Sequence, residues 1–187
     1  MSTQPGSDAA PARRPARMRR RWRWVPEVAI VLALILGIRA WQQRGMAEGI
    51  APPLAGSLLD GRTVELAALD PARDRRPVLV YFWASWCAIC RMQHGAIADI
   101  AREHPVVSVA MRSGDAAAVR RHLTEQAAAF DVINDPHGLH AARWGVGAVP
   151  ASFIVDARGR VRFVEVGYTT GWGLRWRLWW AGWRVGP

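Results

Sequence analysis

The chain of 187 residues contains no lysine, and all 25 of its basic residues are arginine. This absence excludes enzymes that form a Schiff base through lysine and nucleotide-binding loops that need a lysine. Only two cysteines are present, which excludes a small domain held by many disulfides. No long repeat is visible and 51% of the residues are hydrophobic, so repeat arrays and wholly disordered chains are excluded too. The length allows one ordinary domain plus a tail or anchor.

The net charge of +10 is concentrated near the N-terminus. Seven arginines lie within residues 13–23, and residues 28–38 then form an uninterrupted uncharged apolar run. As a helix, residues 24–41 would extend about 27 Å, close to the ~30 Å thickness of a bilayer core. Trp24 and Trp41 lie at its two ends, where aromatic side chains gather at membrane interfaces.

These features predict a single-pass protein of the inner (cytoplasmic) membrane. The arginines before the apolar run place the N-terminus in the cytoplasm and the main domain on the periplasmic side. A cleaved signal peptide stays open as an alternative, and both interpretations are favoured over nucleic-acid binding by the arginines. The expected organisation is an Arg-rich cytoplasmic tail over 1–23, a transmembrane signal anchor over 24–41, a linker over 42–55 and a domain over 56–187.

The domain alternates patterns typical of strands and helices. Residues 57–66 predict a hairpin, because Asp60-Gly61 suits a type I′ turn. Residues 78–83 are continuously apolar, which is typical of a strand buried on both faces. Further strands are predicted at 106–111, 130–134, 151–155 and 160–166, and helices at 87–104, from Asp115, at 138–145 and at 171–183. This order predicts an α/β fold, a mixed sheet with helices on both faces.

A Cys-x-x-Cys pair, Cys87 and Cys90, lies between the predicted strand and the start of the predicted helix. Unsatisfied backbone N–H groups at a helix N-terminus stabilise a thiolate, which favours Cys87 as the nucleophile. Cys90 lies one turn further, close enough to form a disulfide and to resolve a mixed disulfide. The pair therefore predicts a redox-active disulfide.

Other uses of this pair fit less well. A zinc site needs about four ligands and only His94 follows at a suitable spacing, so no metal is expected. A c-type haem site needs histidine directly after Cys90, where Arg91 stands. A peroxidatic cysteine would want threonine or serine at the position of Ala84. A copper-binding chaperone that uses Cys87, Cys90 and His94 stays open as an alternative.

The segments 83–91 and 144–155, with the hairpin after them, resemble the thioredoxin fold and its membrane-anchored TlpA-like branch. Segments 134–136, 149–152 and 167–171 are similar to ScsD-type proteins (suppressor of copper sensitivity D). The resemblance implies a protein disulfide oxidoreductase without an organic cofactor, which exchanges electrons with thiols of exported proteins. It also implies a DsbD-type transmembrane electron donor, and a link to copper tolerance or to cytochrome c and copper-centre maturation.

The resemblance carries over to individual residues. Pro150 matches a cis-proline that faces the cysteine pair and presents the backbone of Val149 to an extended substrate. With Trp86, these two residues are expected to shape the substrate contact. Two positions depart from the family pattern, because Tyr81 stands where thioredoxin has a buried aspartate and Gln93 where TlpA-like proteins often have glutamate.

The acid that would accept the proton of Cys90 is therefore not at its usual positions. Glu165 and His94 are the two substitutes, and the choice between them stays open. The redox direction stays open as well: a reductant is expected from the resemblance, and an oxidant that donates disulfides is the alternative.

The last predicted helix is rich in tryptophan. Five of the 11 tryptophans recur at the i, i+4, i+7, i+8 and i+11 positions of one helical face. We expect this face to pack on the sheet, and contact with a membrane interface, assisted by neighbouring arginines, is the alternative. The face consists of Trp172, Trp176, Trp179, Trp180 and Trp183.

Overall fold

The computed structural model describes residues 24–66 and 76–183, so the predicted Arg-rich tail lies outside the described residues. The chain divides into two compact units, Met1–Arg39 and Ala40–Pro187. Helix α1 (Trp24–Gln43) covers the segment predicted as an anchor. Within the described ranges, no helix meets the length and apolarity that crossing a membrane requires, and the transmembrane helix stays a prediction.

The unit over Ala40–Pro187 contains the strands and the remaining helices of the described chain. Its strands are β1 (Gly49–Ile50), β2 (Ala55–Ser57), β3 (Thr63–Glu65), β4 (Val78–Trp83), β5 (Val106–Met111), β6 (Val132–Asp135), β7 (Ala151–Val155) and β8 (Arg160–Val166). Its helices are α2 (Ala88–Ala101), α3 (Ala116–Glu125), α4 (Leu139–Arg143) and α5 (Gly171–Trp183).

Six strands form one sheet in the order β1-β8-β7-β4-β5-β6. Strands β4, β5 and β6 run parallel, whereas the pairs β4–β7, β7–β8 and β8–β1 are antiparallel. Strands β2 and β3 form a separate antiparallel hairpin, and Gly61 in its turn has a φ of 90°. The predicted mixed sheet is confirmed. The hairpin is present too, but its turn is not the predicted type I′ turn, because Asp60 lacks the positive φ that this turn requires.

Alternate residues of β4 send their side chains to opposite faces of the sheet. The ring of Tyr81 packs edge-on against His94 of α2, with the ring centroids 6.3 Å apart. Phe82 points the other way and packs against Trp144, at the end of α4, at 5.7 Å. Helices therefore cover both faces, as predicted, and the apolar run of β4 is buried because neither face meets water.

The structure differs from the prediction over 42–55, where a linker was expected. Met46 and Leu54 are buried in the core of the domain, and β1 extends the sheet beside β8. A two-residue strand is too short to show a periodic pattern in the sequence. Gly145 packs directly on this segment, since a Cβ atom there would lie 2.0 Å from the carbonyl oxygen of Gly45.

The expectation that the tryptophan face of α5 packs on the sheet holds for only part of that face, because the rings of Trp180 and Trp176 pack against Phe163 of β8 at 5.1 and 6.5 Å. The side chains that are fully buried are Leu174, Leu178 and Ala181, which also recur at i, i+4 and i+7. Helices α2 and α5 approach closely, because a Cβ on Gly171 would lie 3.2 Å from Ala96, and an indole would not fit between them. Four tryptophans are exposed: Trp172, Trp176, Trp179 and Trp183. Their contact with a membrane interface stays a prediction.

Candidate active site

The two cysteines form a disulfide at the junction of β4 and α2, with their Cα atoms 5.3 Å apart. Cys87 is the N-cap of α2 and has the extended backbone typical of that position, with φ −89° and ψ 107°. Its sulfur accepts a hydrogen bond from the backbone N–H of Cys90 at 3.1 Å. The geometry matches the predicted strand–turn–helix setting of the pair.

The two sulfur-bearing residues differ in accessibility. Cys87 is 8% exposed and Cys90 is 0% exposed, so a partner can reach the first residue and not the second. In the reduced protein, the N–H groups and the partial positive charge at the start of α2 would stabilise a thiolate at Cys87. The arrangement fits Cys87 as the attacking thiol and Cys90 as the resolving thiol.

The loop that carries Cys87 is held by the segment after β5. The backbone N–H of Ser85 donates to Oγ of Ser113 at 3.0 Å, and that hydroxyl donates to the carbonyl of Met111 at 3.0 Å. The indole Nε1 of the exposed Trp86 donates to the carbonyl of Arg112 at 3.1 Å. This support could not be predicted from the sequence, because a serine and a backbone carbonyl in a loop give no local signal of a long-range hydrogen bond.

The peptide bond between Val149 and Pro150 is cis, as the resemblance implied. The sulfur of Cys87 lies 3.6 Å from the carbonyl oxygen of Val149. An extended partner segment beside the sulfur could therefore hydrogen-bond to this stretch of backbone. The structure brings together three predicted site residues here, and their roles in substrate contact stay predictions.

Exposed apolar side chains lie near the sulfur. Ile89 and Met92 are on the first two turns of α2 and are 47% and 73% exposed. The N–H of Gly167 donates to the carbonyl of Pro150 at 2.8 Å, which places the half-exposed Tyr168 next to the cis-proline. A partner that approaches Cys87 would thus meet apolar surface, which suits recognition of another protein.

Three buried polar side chains lie on the inner side of the cysteine pair. Gln93 and His94 follow Cys90 on the buried face of α2, and Tyr81 lies under that helix in β4. The amide of Gln93, both ring nitrogens of His94 and the hydroxyl of Tyr81 have no hydrogen-bonding partner among the described residues. We refer to Tyr81, Gln93 and His94 as the buried polar group.

The buried polar group is uncharged at neutral pH. Burial chiefly, together with the neighbouring His122 and Arg91, lowers the pKa of His94 to about 4. Burial also raises the pKa of the Tyr81 hydroxyl well above its ordinary value. The side of Cys90 that faces the protein interior therefore has a neutral polar surface, at the positions where the resemblance would place a carboxylate.

The sequence from 48 to 164 matches the model of the AhpC/TSA family. The chain belongs to the AhpC/TSA family. It is 40% identical over 124 residues to a thioredoxin-like protein of Haemophilus influenzae, covering 66% of this chain and 72% of the relative. It is 39% identical over 112 residues to a thiol:disulfide interchange protein DsbE homolog of Paracoccus denitrificans, covering 59% and 61%.

Solved structures agree with this family. A candidate thiol:disulfide interchange protein DsbE of Chlorobium tepidum superposes with a TM-score of 0.65 at 26% identity, covering 74% of this chain and 99% of that one. Together with the Cys-x-x-Cys disulfide, these relatives show that this AhpC/TSA-family protein is a thiol:disulfide oxidoreductase with a thioredoxin-like fold. The predicted enzyme class is confirmed.

Of the two substitutes for the missing acid in this oxidoreductase, Glu165 is engaged in an ion pair. Its Oε1 lies 2.6 Å from Nη2 of Arg177 on α5, and both side chains are mostly buried. Glu165 is registered beside Ser152, which is registered beside Tyr81. The carboxylate thus lies two strands away from β4, the strand that leads to the cysteines.

Among the residues that the structure describes, no group of three or more His, Cys, Asp or Glu side chains could hold a metal ion.

Proposed function

We propose that this oxidoreductase is a reductant for disulfides of exported proteins. The observation that carries the proposal is the sulfur of Cys87 at the start of α2, 3.6 Å from the Val149 carbonyl, on the one cysteine of the pair that keeps some exposure. In the reduced protein, the Cys87 thiolate attacks a partner disulfide and releases one partner thiolate. Cys90 then attacks the mixed disulfide, which releases the second partner thiolate and leaves the Cys87–Cys90 disulfide.

We further propose that the domain acts on the periplasmic side of the inner membrane and is held there by a signal anchor. The support is the order of seven arginines and an uncharged apolar run in the sequence. Alkaline phosphatase fused after Pro187 should be active, because that enzyme needs an oxidising compartment. A fusion partner active in the cytoplasm only, placed at the same position and found to be active there, would contradict this location.

The proposed partners follow from the resemblance to ScsD-type and TlpA-like proteins. A DsbD-type membrane transporter would reduce the Cys87–Cys90 disulfide. The accepting disulfides would belong to proteins of copper tolerance, or to apocytochrome c and copper-centre proteins during maturation. The apolar surface around Cys87 supports a protein partner, since Ile89 and Met92 are exposed beside it.

The reduction potential of the cysteine pair tests the redox direction. The full chain in detergent is equilibrated in dithiothreitol or glutathione buffers, and thiols are counted by alkylation, with a Cys87→Ser/Cys90→Ser double variant as the blank. A value near ~−270 mV agrees with a reductant that needs an electron supply. A value near ~−120 mV identifies an oxidant and contradicts the proposal.

A trapping experiment separates exchange from copper binding. In cells, Cys90→Ala should accumulate mixed disulfides through Cys87, whereas Cys87→Ala should not, because Cys90 is fully buried. The adducts should disappear on reduction and should contain exported proteins. Absence of adducts in both variants, together with copper binding that needs both cysteines, would instead identify a copper chaperone.

A further inference from the structure

The enclosure of Cys90 poses a problem for the second step of exchange. A thiol attacks a disulfide as its thiolate, so Cys90 must lose a proton before it resolves the mixed disulfide. Cys90 is 0% exposed, so bulk water does not reach the thiol. Burial in apolar surroundings also raises the pKa of a thiol, which makes loss of the proton harder. A base inside the protein is needed.

The buried polar group offers one base. The amide of Gln93 does not accept a proton near neutral pH, and the phenol of Tyr81 is already protonated there. The imidazole of His94 carries a free lone pair when it is neutral. Glu165, the other sequence candidate, directs its carboxylate to Arg177.

The position of His94 suits the role. It follows Cys90 by four residues on α2, which puts the two side chains on one face with their Cβ atoms roughly 5–6 Å apart. The imidazole ring is enclosed by aromatic rings: its centroid lies 4.7 Å from that of Trp83 and 5.5 Å from that of Phe130. Neither ring nitrogen has a hydrogen-bonding partner among the described residues. A buried imidazole with two unused nitrogens, one helical turn after a buried cysteine, is unexplained by packing alone.

We propose that His94 accepts the proton of Cys90 when the mixed disulfide is resolved. The inference rests on the thiol–disulfide exchange proposed above. The Cys90 thiol transfers its proton to neutral His94, and the resulting thiolate attacks the sulfur of Cys87. The Cys87–Cys90 bond forms, the bond to the partner breaks, and the partner leaves as a thiolate while the proton stays on His94.

The charges around His94 fit this transfer. Among the described residues, Arg91 on α2 and His122 on α3 lower the pKa of His94, the ring of Tyr81 on β4 packs against it, and Cys90 precedes it by one turn of α2. In the disulfide form, burial chiefly, with smaller contributions from His122 and Arg91, keeps the imidazole neutral at neutral pH. A thiolate at Cys90 would raise the pKa of His94, because a nearby negative charge favours the imidazolium form. His94 is therefore unprotonated before the transfer, and its imidazolium form is stabilised by the Cys90 thiolate after it.

A chromogenic disulfide, 5,5′-dithiobis(2-nitrobenzoate), separates the two steps. Reduced full chain in detergent is mixed with the reagent in a stopped-flow instrument. Attack by Cys87 releases the first coloured thiolate and resolution by Cys90 releases the second. We expect His94→Gln to slow the second phase at least ~10-fold at neutral pH and to shift its pH profile to higher pH, with the first phase unchanged.

His122→Gln is the matched control. The ring of His122 packs against that of His94, but His122 lies on another helix, α3. It should leave the second phase within about twofold of the wild type. His94→Leu is the second variant, since it removes both nitrogens without leaving an unsatisfied polar group and should fold well. Its second phase should be as slow as that of His94→Gln.

Two results would overturn the inference, and they differ in what they say about the proposed exchange function. If the second phase keeps the wild-type rate and pH profile in both His94 variants, His94 is not the acceptor, although exchange itself still occurs. If the wild type shows no first phase, the proposed exchange function fails, and the inference about His94 fails with it.

Discussion

The guanidinium of Arg177 lies 2.6 Å from the carboxylate of Glu165, and this ion pair connects α5 to β8. The register Glu165–Ser152–Tyr81 places the carboxylate on the same face of the sheet as Tyr81, under the layer of α2 and α5. A carboxylate engaged in this way stabilises the packing of a helix. It is a poor base for a thiol two strands away.

Glu165→Gln should therefore affect stability and not chemistry. Loss of a charge-assisted bond between two mostly buried groups should lower the free energy of unfolding by about 1–3 kcal/mol. The second phase of the reaction with the chromogenic disulfide should keep its rate and its pH profile. Urea unfolding and stopped-flow kinetics on the same preparation check both parts.

Arg177→Met provides the comparison for this prediction. It should lower stability by a similar amount, because it leaves the same carboxylate without its partner. A slow second phase in Glu165→Gln, together with a normal one in His94→Leu, would reverse the assignment of the proton acceptor.

Acid should destabilise the domain through His94. The pKa of His94 is lowered from 6.5 to about 4, chiefly by burial. In the unfolded chain, His94 becomes protonated as the pH falls through ~6.5. In the folded chain, it becomes protonated only near pH 4. In the window between these two pH values, the unfolded state therefore binds more protons than the folded state. The contribution of neutral His94 to the free energy of unfolding is fully present above that window. It is lost as the pH falls towards the lower end, and the total loss is about 3 kcal/mol.

Urea unfolding on either side of this window measures the effect. The difference in unfolding free energy between the two pH values should be smaller in His94→Leu than in the wild type by about 2–3 kcal/mol. Gln93→Leu is the matched control, since it removes the adjacent buried amide, which does not titrate. Its change in stability should be the same at both pH values. An equal pH dependence in wild type and His94→Leu would show that the folded protein protonates His94 normally.

Much of the architecture could be predicted from local sequence. The apolar run of β4 and the Cys-x-x-Cys pair directly after it determine the strand, the helix N-terminus and the place of the thiol chemistry. The cis bond before Pro150 was expected from the resemblance alone, because residue types by themselves do not distinguish cis from trans. The start of the domain was placed too late, since Met46 and the short β1 contribute burial without a periodic pattern.

Packing of α5 depends more on its buried leucines than on its exposed tryptophans. Leu178→Ala should lower the free energy of unfolding by about 2–5 kcal/mol, because Leu178 is 0% exposed and a cavity would remain. Trp179→Ala should change it by less than about 1 kcal/mol, because that indole is 60% exposed and stacks on Trp183 alone among the described rings. Thermal or urea unfolding of the two variants compares neighbouring positions of one helix. A larger loss in the tryptophan variant would show that the exposed face is covered in the folded protein.

The orientation of α5 illustrates what sequence patterns leave undecided. Two stripes with helical spacing exist on this helix, one of tryptophan and one of leucine and alanine. Hydrophobicity favours the tryptophan stripe, whereas the close approach at Gly171 and Ala96 favours small side chains. Only the tertiary structure decides between them. The missing partners of the buried polar group are likewise invisible in sequence, because hydrogen bonding across elements depends on the final packing.

Trp86 should matter for protein partners and little for folding. Its indole is 63% exposed and its Nε1 bonds to the carbonyl of Arg112. Trp86→Ala should lower the rate of reaction with a folded protein disulfide about tenfold, as exposed aromatic anchors commonly contribute most to protein contacts. The rate with the small chromogenic disulfide should change less than threefold or so. Trp86→Phe keeps an aromatic ring without the N–H, and so separates ring contact from loop support. Equal losses with both substrates would place the effect on the cysteine and not on recognition.

The unequal exposure of the two cysteines also means that redox partners must bind one at a time. Every electron pair must arrive and depart through one sulfur atom, because the other is sealed inside the domain. In the proposed cycle, an electron donor and an oxidised substrate protein therefore compete for one docking site and cannot occupy it together. The proposed reaction then follows ping-pong kinetics, in which the two partners react in turn. An excess of either partner lowers the rate of reaction with the other.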